Sequence, residues 1–286
     1  MSTSPASKAP RKPSPQQQIA YDWVRTATGH AVMVACAGAG KTSTIEGAVP
    51  LMLGSVFVGA FNKDIAVEIE GRLGQRPGLT VGTMHSAGYR ALRAALGAVR
   101  LDDLKVRKIF RHNIGLSHPN DAAYYATFEK QVLELVGYAK QAGFGVFPQY
   151  GEATLGRQAH ALGADEHWQE LIDRFDVETF TDDGYTQAAG AYSQAGAGGR
   201  VSERDLTPNH AATIIMLARA TLEYSNAAMR ESVDFNDMIY GPLLLNLRFP
   251  QYDWVVIDEL QDTNAVRREM AKRMLKPQTG RFFGVG

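Results

Sequence analysis

The 286 residues are 45% hydrophobic and 21% charged, a globular profile that excludes a disordered chain and allows one large domain or two smaller ones. Lysine plus arginine and aspartate plus glutamate number 30 each, so no global basic field points to a polyanion and any nucleic-acid contact has to be local. The one cysteine excludes an internal disulfide framework and a cysteine-rich zinc site, which fits a reducing compartment, cytoplasm or nucleus; no apolar stretch approaches the ~20 residues of a membrane helix.

Residues 1–14 read as a disordered tail, rich in Ser, Pro and Ala and lacking the apolar stretch of a secretory signal. Its Lys8, Arg11 and Lys12 either brush phosphates or simply solubilise. A helix follows, with Ser14 as N-cap, Pro15 at the first helical position and Gln17 placed to close a capping box. AVMVAC (31–36) is a short apolar, β-branched run expected to be a buried strand, and GAGKTSTIEGAV continues as loop and helix, halted by Pro50. SVFVGAF (55–61) is a second strand, residues 64–73 a helix with Ile65, Ile69 and Leu73 on one side, and LTVGT (79–83) a third strand. Such alternation predicts a parallel sheet covered by helices on both faces, with ligands gathered where the strands end.

Between about 100 and 205 helical patterns replace strands: 102–113, then 122–143 closed by Gly143, then 166–175. Residues 190–203 are Gly-, Ala- and Ser-rich and read as a flexible loop. Thr207 and Pro208 then open a long helix with Ile214, Leu217, Ala218 and Leu222 on its buried stripe, and a shorter helix starts near DFNDMI. WVVIDE (254–259) and RFFGVG (281–286) return to the strand pattern, so the sheet is interrupted and resumed. The expected division is 15–100 and 205–286 for the sheet domain and 101–204 for a helical insert.

ACAGAGKT (35–42) follows the P-loop pattern with Ala35 in place of the first glycine. Gly38 and Gly40 let the chain curl around Ala39 so that backbone N–H groups and a helix N-terminus face a phosphate chain. Lys41 then neutralises the terminal phosphates, Thr42 can ligate Mg²⁺, and Ser43 follows in the first helical turn. The bland alternative is a Gly-rich turn with a stray lysine. Asp258 and Glu259, at the end of an apolar strand, supply the acidic partner that a P-loop needs. Asp258 would hold Mg²⁺ and Glu259 would orient and deprotonate the attacking water. Cys36 is either a reactive thiol near a helix N-terminus or, the blander reading, a small half-buried filler; Trp254 is either sheet core or a stacking platform.

Five segments in order carry a resemblance. Gln17, upstream of Lys41, resembles the adenine-reading glutamine of superfamily 1 helicases; AFNKDIAVEIEGRL (60–73) and GTMHSAGYR (82–90) are similar to two of their motifs; DFNDMI (234–239) and DELQDTN (258–264) complete the set. The chain resembles the N-terminal half of a UvrD/Rep-like superfamily 1 DNA helicase over 14–92 and 205–286, and its AFNK segment is closer to the F-box DNA helicase branch. The resemblance implies a RecA-like P-loop NTPase sheet with an inserted, mainly helical subdomain, using ATP and Mg²⁺. It implies catalytic roles for Lys41, Glu259 and Gln261, the last coupling the γ-phosphate to DNA-contacting segments. It also implies a single-stranded DNA track of Phe61, Asn62, Lys63, Thr83 and His85, travelled 3′ to 5′. Phe61 either stacks on a base or packs inward, and His85 either lines the track or is a helix-start histidine satisfied by a carbonyl. Ser43 stands where many relatives carry arginine. FFGVG resembles the opening of the family's third motif, so a second RecA-like domain or protein partner is expected from elsewhere, and the chain alone is expected to bind Mg-nucleotide weakly, hydrolyse little and not unwind. The competing expectations are a non-motor nucleotide- and DNA- or protein-binding module, and a P-loop ATPase acting on something other than DNA. The helical insert could clamp duplex DNA, recruit partners or regulate closure, while its basic face, Arg107, Lys108 and Arg111, is expected to be merely solvated.

Overall fold

The strands form where short β-branched runs are bounded by turn residues, and their alternate side chains divide between two faces. The computed structural model describes residues 12–26, 28–36, 38–150, 162–179 and 210–286. In chain order its strands are β1 (Ala31–Met33), β2 (Val56–Ala60), β3 (Leu79–Thr83), β4 (Arg100–Leu101), β5 (Ser232–Val233), β6 (Trp254–Ile257) and β7 (Arg281–Val285). Five of them make one sheet in the order β1-β7-β6-β2-β3, every neighbouring pair parallel. β4 and β5 pair only with each other, two residues to a strand, too short for any alternation to announce them.

Two compact units are described separately. The sheet unit comprises residues 1–84, 249–263 and 271–286. On one face of its sheet Val56, Val58, Trp254, Val256, Phe283 and Val285 bury themselves against helices α1 (Pro15–Thr26), α2 (Lys41–Ala48) and α3 (Lys63–Leu73), which contribute Val24, Ile45 and Ile69. Trp254 is 4% exposed and meets Trp23 edge-on at 5.9 Å, so it is core. β1 stops at Met33, shorter than the run 31–36 suggests, because the chain must turn into the P-loop. Cys36 is exposed there, a correction to the half-buried filler expected. α2 ends at Ala48 and Pro50 sits in a following 3₁₀ turn, as its missing N–H dictates.

At the amino-terminal ends of the strands, Asp253 Oδ2 accepts from Ser55 N and Oγ (both 2.8 Å), and Lys276 Nζ donates to both carboxylate oxygens at 2.9 and 2.8 Å. This clamp ties the start of β2 to the start of β6. The Lys276 ammonium and the Ser55 N–H hold the Asp253 carboxyl down at about 2.

The helical unit comprises residues 85–248 and 264–270, so 210–248, grouped with the sheet in the expected division, pack with the helices. It contains most of α4 (Met84–Leu96), then α5 (Lys105–Ser117), α6 (Ala122–Ala126), α7 (Glu129–Ala142), α8 (Asp165–Phe175), α9 (Ala211–Ala227) and α10 (Asp237–Leu244), with the first turns of α11 (Ala265–Arg273). The run 122–143 is not one helix but two. Thr127 Oγ1 donates back to Tyr124 O at 2.6 Å, and Phe128, fully buried, precedes the second; Gly143 closes α7 at φ +89°, where glycine is favoured. Ile214, Leu217, Ala218 and Leu222 are all buried on α9, as its stripe predicts. Its expected start at Thr207 and Pro208, the loop 190–203 and most of the tail lie outside the described residues. The basic face of α5 is neutralised, Lys108 by Asp102 at 2.7 Å, Arg107 and Arg111 by Glu129 at 3.0 and 2.5 Å.

Where α4 crosses α10, backbones nearly touch: a Cβ on Gly88 would lie 1.8 Å from the carbonyl oxygen of Met238. Gly88→Ala is expected to destabilise by ~1–3 kcal/mol, while Gly71→Ala, in open space on α3, is expected to be neutral or stabilising by ~0.5–1 kcal/mol; urea unfolding of the two variants checks the contrast. The clamp makes a second prediction. Because the folded pKa of Asp253 lies below its unfolded value, its stabilisation is present above about pH 4 and is lost as pH falls through 2. Asp253→Asn should be less stable at pH 7 and show a shallower loss of Tm between about pH 4 and pH 2.

Candidate nucleotide site

In a parallel sheet every strand delivers its following loop to the same edge. Here that edge receives the P-loop after β1, Phe61–Lys63 after β2, Thr83 at the end of β3 and Asp258 after β6. β7 lies between the P-loop strand and the acidic strand, so the two are two strand spacings apart, about 10 Å. Long side chains close that gap. Lys41 Nζ lies 2.5 Å from Glu259 Oε2, and Gln261 Nε2 donates to the same oxygen at 2.7 Å.

Gly38 and Gly40 adopt φ +78° and +84°, and Gly40 caps α2 in the left-handed region, so Lys41 is the first helical residue. A side chain there would be strained, which is why the loop requires glycine at both places. Thr44 returns its hydroxyl to Gly40 O at 3.0 Å, and Ser43 is exposed on the same turn. Gln17 lies against this loop: its Nε2 donates to Thr44 Oγ1 at 3.2 Å, and a Cβ on Gly40 would be 3.4 Å from that nitrogen. The capping box is formed as the sequence predicts, Ser14 N donating to Gln17 Oε1 (3.0 Å) and Gln17 N to Ser14 Oγ (3.2 Å). Gly47 lets α1 come down on α2, since a Cβ there would meet Tyr21 Oη at 2.2 Å.

Thr42 Oγ1 lies 3.5 Å from Asp258 Oδ2, two hard oxygen donors of the kind Mg²⁺ takes alongside phosphate and water. No cluster of three or more His, Cys, Asp or Glu side chains suited to a metal occurs among the described residues. Asp258 is 4% exposed, and burial raises its carboxyl pKa against the pull of the Glu259 N–H and Lys41. Glu259 is held below the ordinary range by Gln261 and Lys41, and Lys41 is raised by Glu259. The Glu259 backbone sits in the left-handed region (φ 51°, ψ 53°), strained for a residue with a side chain, at the point where β6 hands over to DELQD.

Of the residues expected in the DNA track, Phe61 is 51% exposed beyond β2, which answers whether it packs inward. Asn62 serves as N-cap of α3, its Oδ1 accepting from Ile65 N at 2.9 Å, and Lys63 opens the helix in solvent. Thr83 closes β3. In the helical unit, His85 stacks on Phe235 at 3.8 Å between ring centroids and is neutral at pH 7, its pKa pulled down to about 4 by burial and by Arg267. The sequence reading assigned Phe235 no role. Its signal was available, since an aromatic between Asp234 and Asn236 is an odd candidate for a core, and it is 55% exposed.

A glycine-cradled helix start facing a Thr42–Asp258 pair and a Lys41–Glu259 pair, at the carboxyl edge of a parallel sheet, is the arrangement of a RecA-like P-loop domain. The model of the UvrD/REP helicase N-terminal domain matches residues 14–286. The chain therefore belongs to the UvrD/REP helicase family, with the ATP-binding role of that family's N-terminal domain. No individual curated protein matches it. Among the described residues no helix is long and apolar enough to cross a membrane.

The low pKa of His85 gives a test of the stack. Between about pH 6.5 and pH 4 the unfolded chain binds more protons than the folded one, so stability should fall as pH drops through that window. By NMR titration, His85 should remain neutral down to about pH 4, and Phe235→Ala should move its pKa back toward 6.5.

Proposed function

We propose that this chain is the ATP-binding half of a helicase that moves along single-stranded DNA, 3′ to 5′ as the family implies. The observation that carries the proposal is the chain Lys41–Glu259–Gln261, joined at 2.5 and 2.7 Å. An incoming triphosphate is the natural competitor for Lys41. As the ammonium turns to β- and γ-phosphate oxygens, Glu259 is released to accept a proton from the attacking water. Gln261, which loses a hydrogen-bond partner when Glu259 moves, reports that event. Its amide oxygen lies 2.7 Å from where a Cβ on Gly286 would stand, so the change reaches the end of β7 directly. Thr42 and Asp258 would hold Mg²⁺, which when bound would neutralise charge building on the phosphates. Gln17 reads the base, and the loop N–H groups of Gly38, Ala39 and Gly40, with Ser43, line the phosphates.

Phe61, Asn62, Lys63 and Thr83 contribute a strand track at the sheet edge, and His85 is a DNA contact of the helical unit taken by itself. Asn62 has its amide N–H groups to offer, while its oxygen is oriented by the α3 cap. We further propose that a second RecA-like domain completes the cleft, so that residues 1–286 by themselves bind nucleotide but do not unwind DNA.

The test is steady-state ATP hydrolysis and nucleotide binding by this chain, with and without single-stranded DNA. Lys41→Ala should abolish Mg-ATP binding; Glu259→Gln should keep binding and remove whatever turnover the chain shows. ATP should also shift DNA affinity, because a motor couples the two sites and a passive module need not. In salt titrations Lys63→Ala should lower the slope of log K against log [salt] by about 0.7, whereas His85→Ala, removing a neutral ring, should leave it unchanged. DNA affinity indifferent to ATP would sink the motor reading, and efficient unwinding by this chain alone would sink the half-cleft reading.

A further inference from the structure

Four charged side chains are buried in the helical unit. Lys105 on α5 and Lys140 on α7 are each 1% exposed, Asp237 at the start of α10 is 0% exposed and Asp234, three residues earlier, 9%. Lys105 Nζ meets Asp237 Oδ2 at 2.7 Å; Lys140 Nζ meets Asp234 Oδ2 at 2.5 Å and Asp237 Oδ1 at 2.7 Å. The two aspartates are also laced through the backbone: Asp234 N donates to Asp237 Oδ2 at 3.0 Å and Asp237 N to Asp234 Oδ1 at 2.8 Å. The network is neutral overall, two cations against two anions. Burial raises the Asp237 carboxyl pKa, but Lys140 and Lys105 outweigh it and hold the group ionised.

Buried ion networks are a weak source of stability, since well-packed apolar side chains of similar volume often do as well. What this one does is fix geometry. Asp234 and Asp237 bracket a two-residue turn, Phe235 and Asn236, and both turn residues line an open cavity of about 270 Å³ together with Leu104, Val136 and Arg107. Lys140 and Asp234 line the same cavity, so the network borders the open flank of the turn. Phe235 stacks on His85 and keeps 55% of its surface exposed.

We propose that the Lys105–Lys140–Asp234–Asp237 network is a positioning device for Phe235. It pins both ends of the turn to α5 and α7, so that the Phe235 ring, backed by the neutral His85 imidazole, is presented as a preformed stacking platform for a nucleobase. Preorganisation of this kind spares the ordering cost that a loosely held aromatic would meet on binding. The inference rests on the single-stranded DNA reading above, and none of the four charges touches the base.

The experiment uses the full chain and an oligo(dT) carrying one 2-aminopurine, whose fluorescence is quenched when it stacks. Lys140→Met combined with Asp234→Asn leaves a neutral Lys105–Asp237 pair, and affinity for a fluorescent Mg-nucleotide reports that the sheet unit is intact. Expected are unchanged nucleotide affinity, loss of the quench, and DNA affinity weakened about 5-fold or more, the low end for one stacked base. In a Phe235→Ala background the same pair of changes should cost nothing further. Retained quench and affinity, or a loss that adds in full to that of Phe235→Ala, would overturn the proposal, because a general structural defect adds. If the double variant does not fold, Asp234→Asn alone is read by the same two criteria, with a smaller expected loss. A native chain that fails to bind the oligonucleotide would sink the DNA reading itself; one that binds, but is indifferent to Phe235→Ala, would overturn the platform alone.

Discussion

All five strands of the sheet run the same way, and nearly everything about the nucleotide site depends on that constraint. An antiparallel strand would have sent one of the loops to the opposite edge. Because none does, a loop at residues 38–40 and a carboxylate pair at 258–259 share one edge although some two hundred residues separate them in the chain. The insertion of β7 between their strands sets the width of the gap. A lysine on one side and a glutamate on the other are long enough to span it, and the shorter threonine and aspartate come within 3.5 Å.

The charges at this edge are unequal by design of their surroundings. Asp258 lies deep at the strand end, where burial makes its ionised form costly unless a cation is near. Glu259 is one residue further out, on a strained backbone that turns its carboxylate toward Lys41 and Gln261. Two adjacent carboxylates thus sit in different environments, one buried and one held by an ammonium and an amide.

Much of this was legible in the sequence because it is local. Ser14, Pro15 and Gln17 specify a helix start over four residues; Gly38 and Gly40 specify two positive φ angles; Ile214 to Leu222 specify a helix face. Lys41, Thr42, Asp258 and Glu259 were named for the same reason, each lying in a short segment whose spacing carries its chemistry, whereas Gln17, Gln261 and the strand-track residues came from the family resemblance. What was not legible depends on partners far along the chain. The β4–β5 pair joins residues about 130 apart with two residues on each side, too few to show a period. Nothing local marks Lys105 or Lys140, and only the fold shows that they face Asp234 and Asp237. Phe235 escaped for that reason too, since the stack that explains it is with His85. The break between α6 and α7 was missed because the apolar spacing continues across it.

Gln17 holds a consequence of a different kind. Both ends of its amide are already engaged, the oxygen by the Ser14 N–H and the nitrogen by the Thr44 hydroxyl. The carbonyl keeps a second lone pair and the amide a second N–H, so the fold orients Gln17 and still leaves it one acceptor and one donor site for a ligand. On the proposed function a base would meet an amide already aimed, its ordering cost met when the helix start folds rather than on binding.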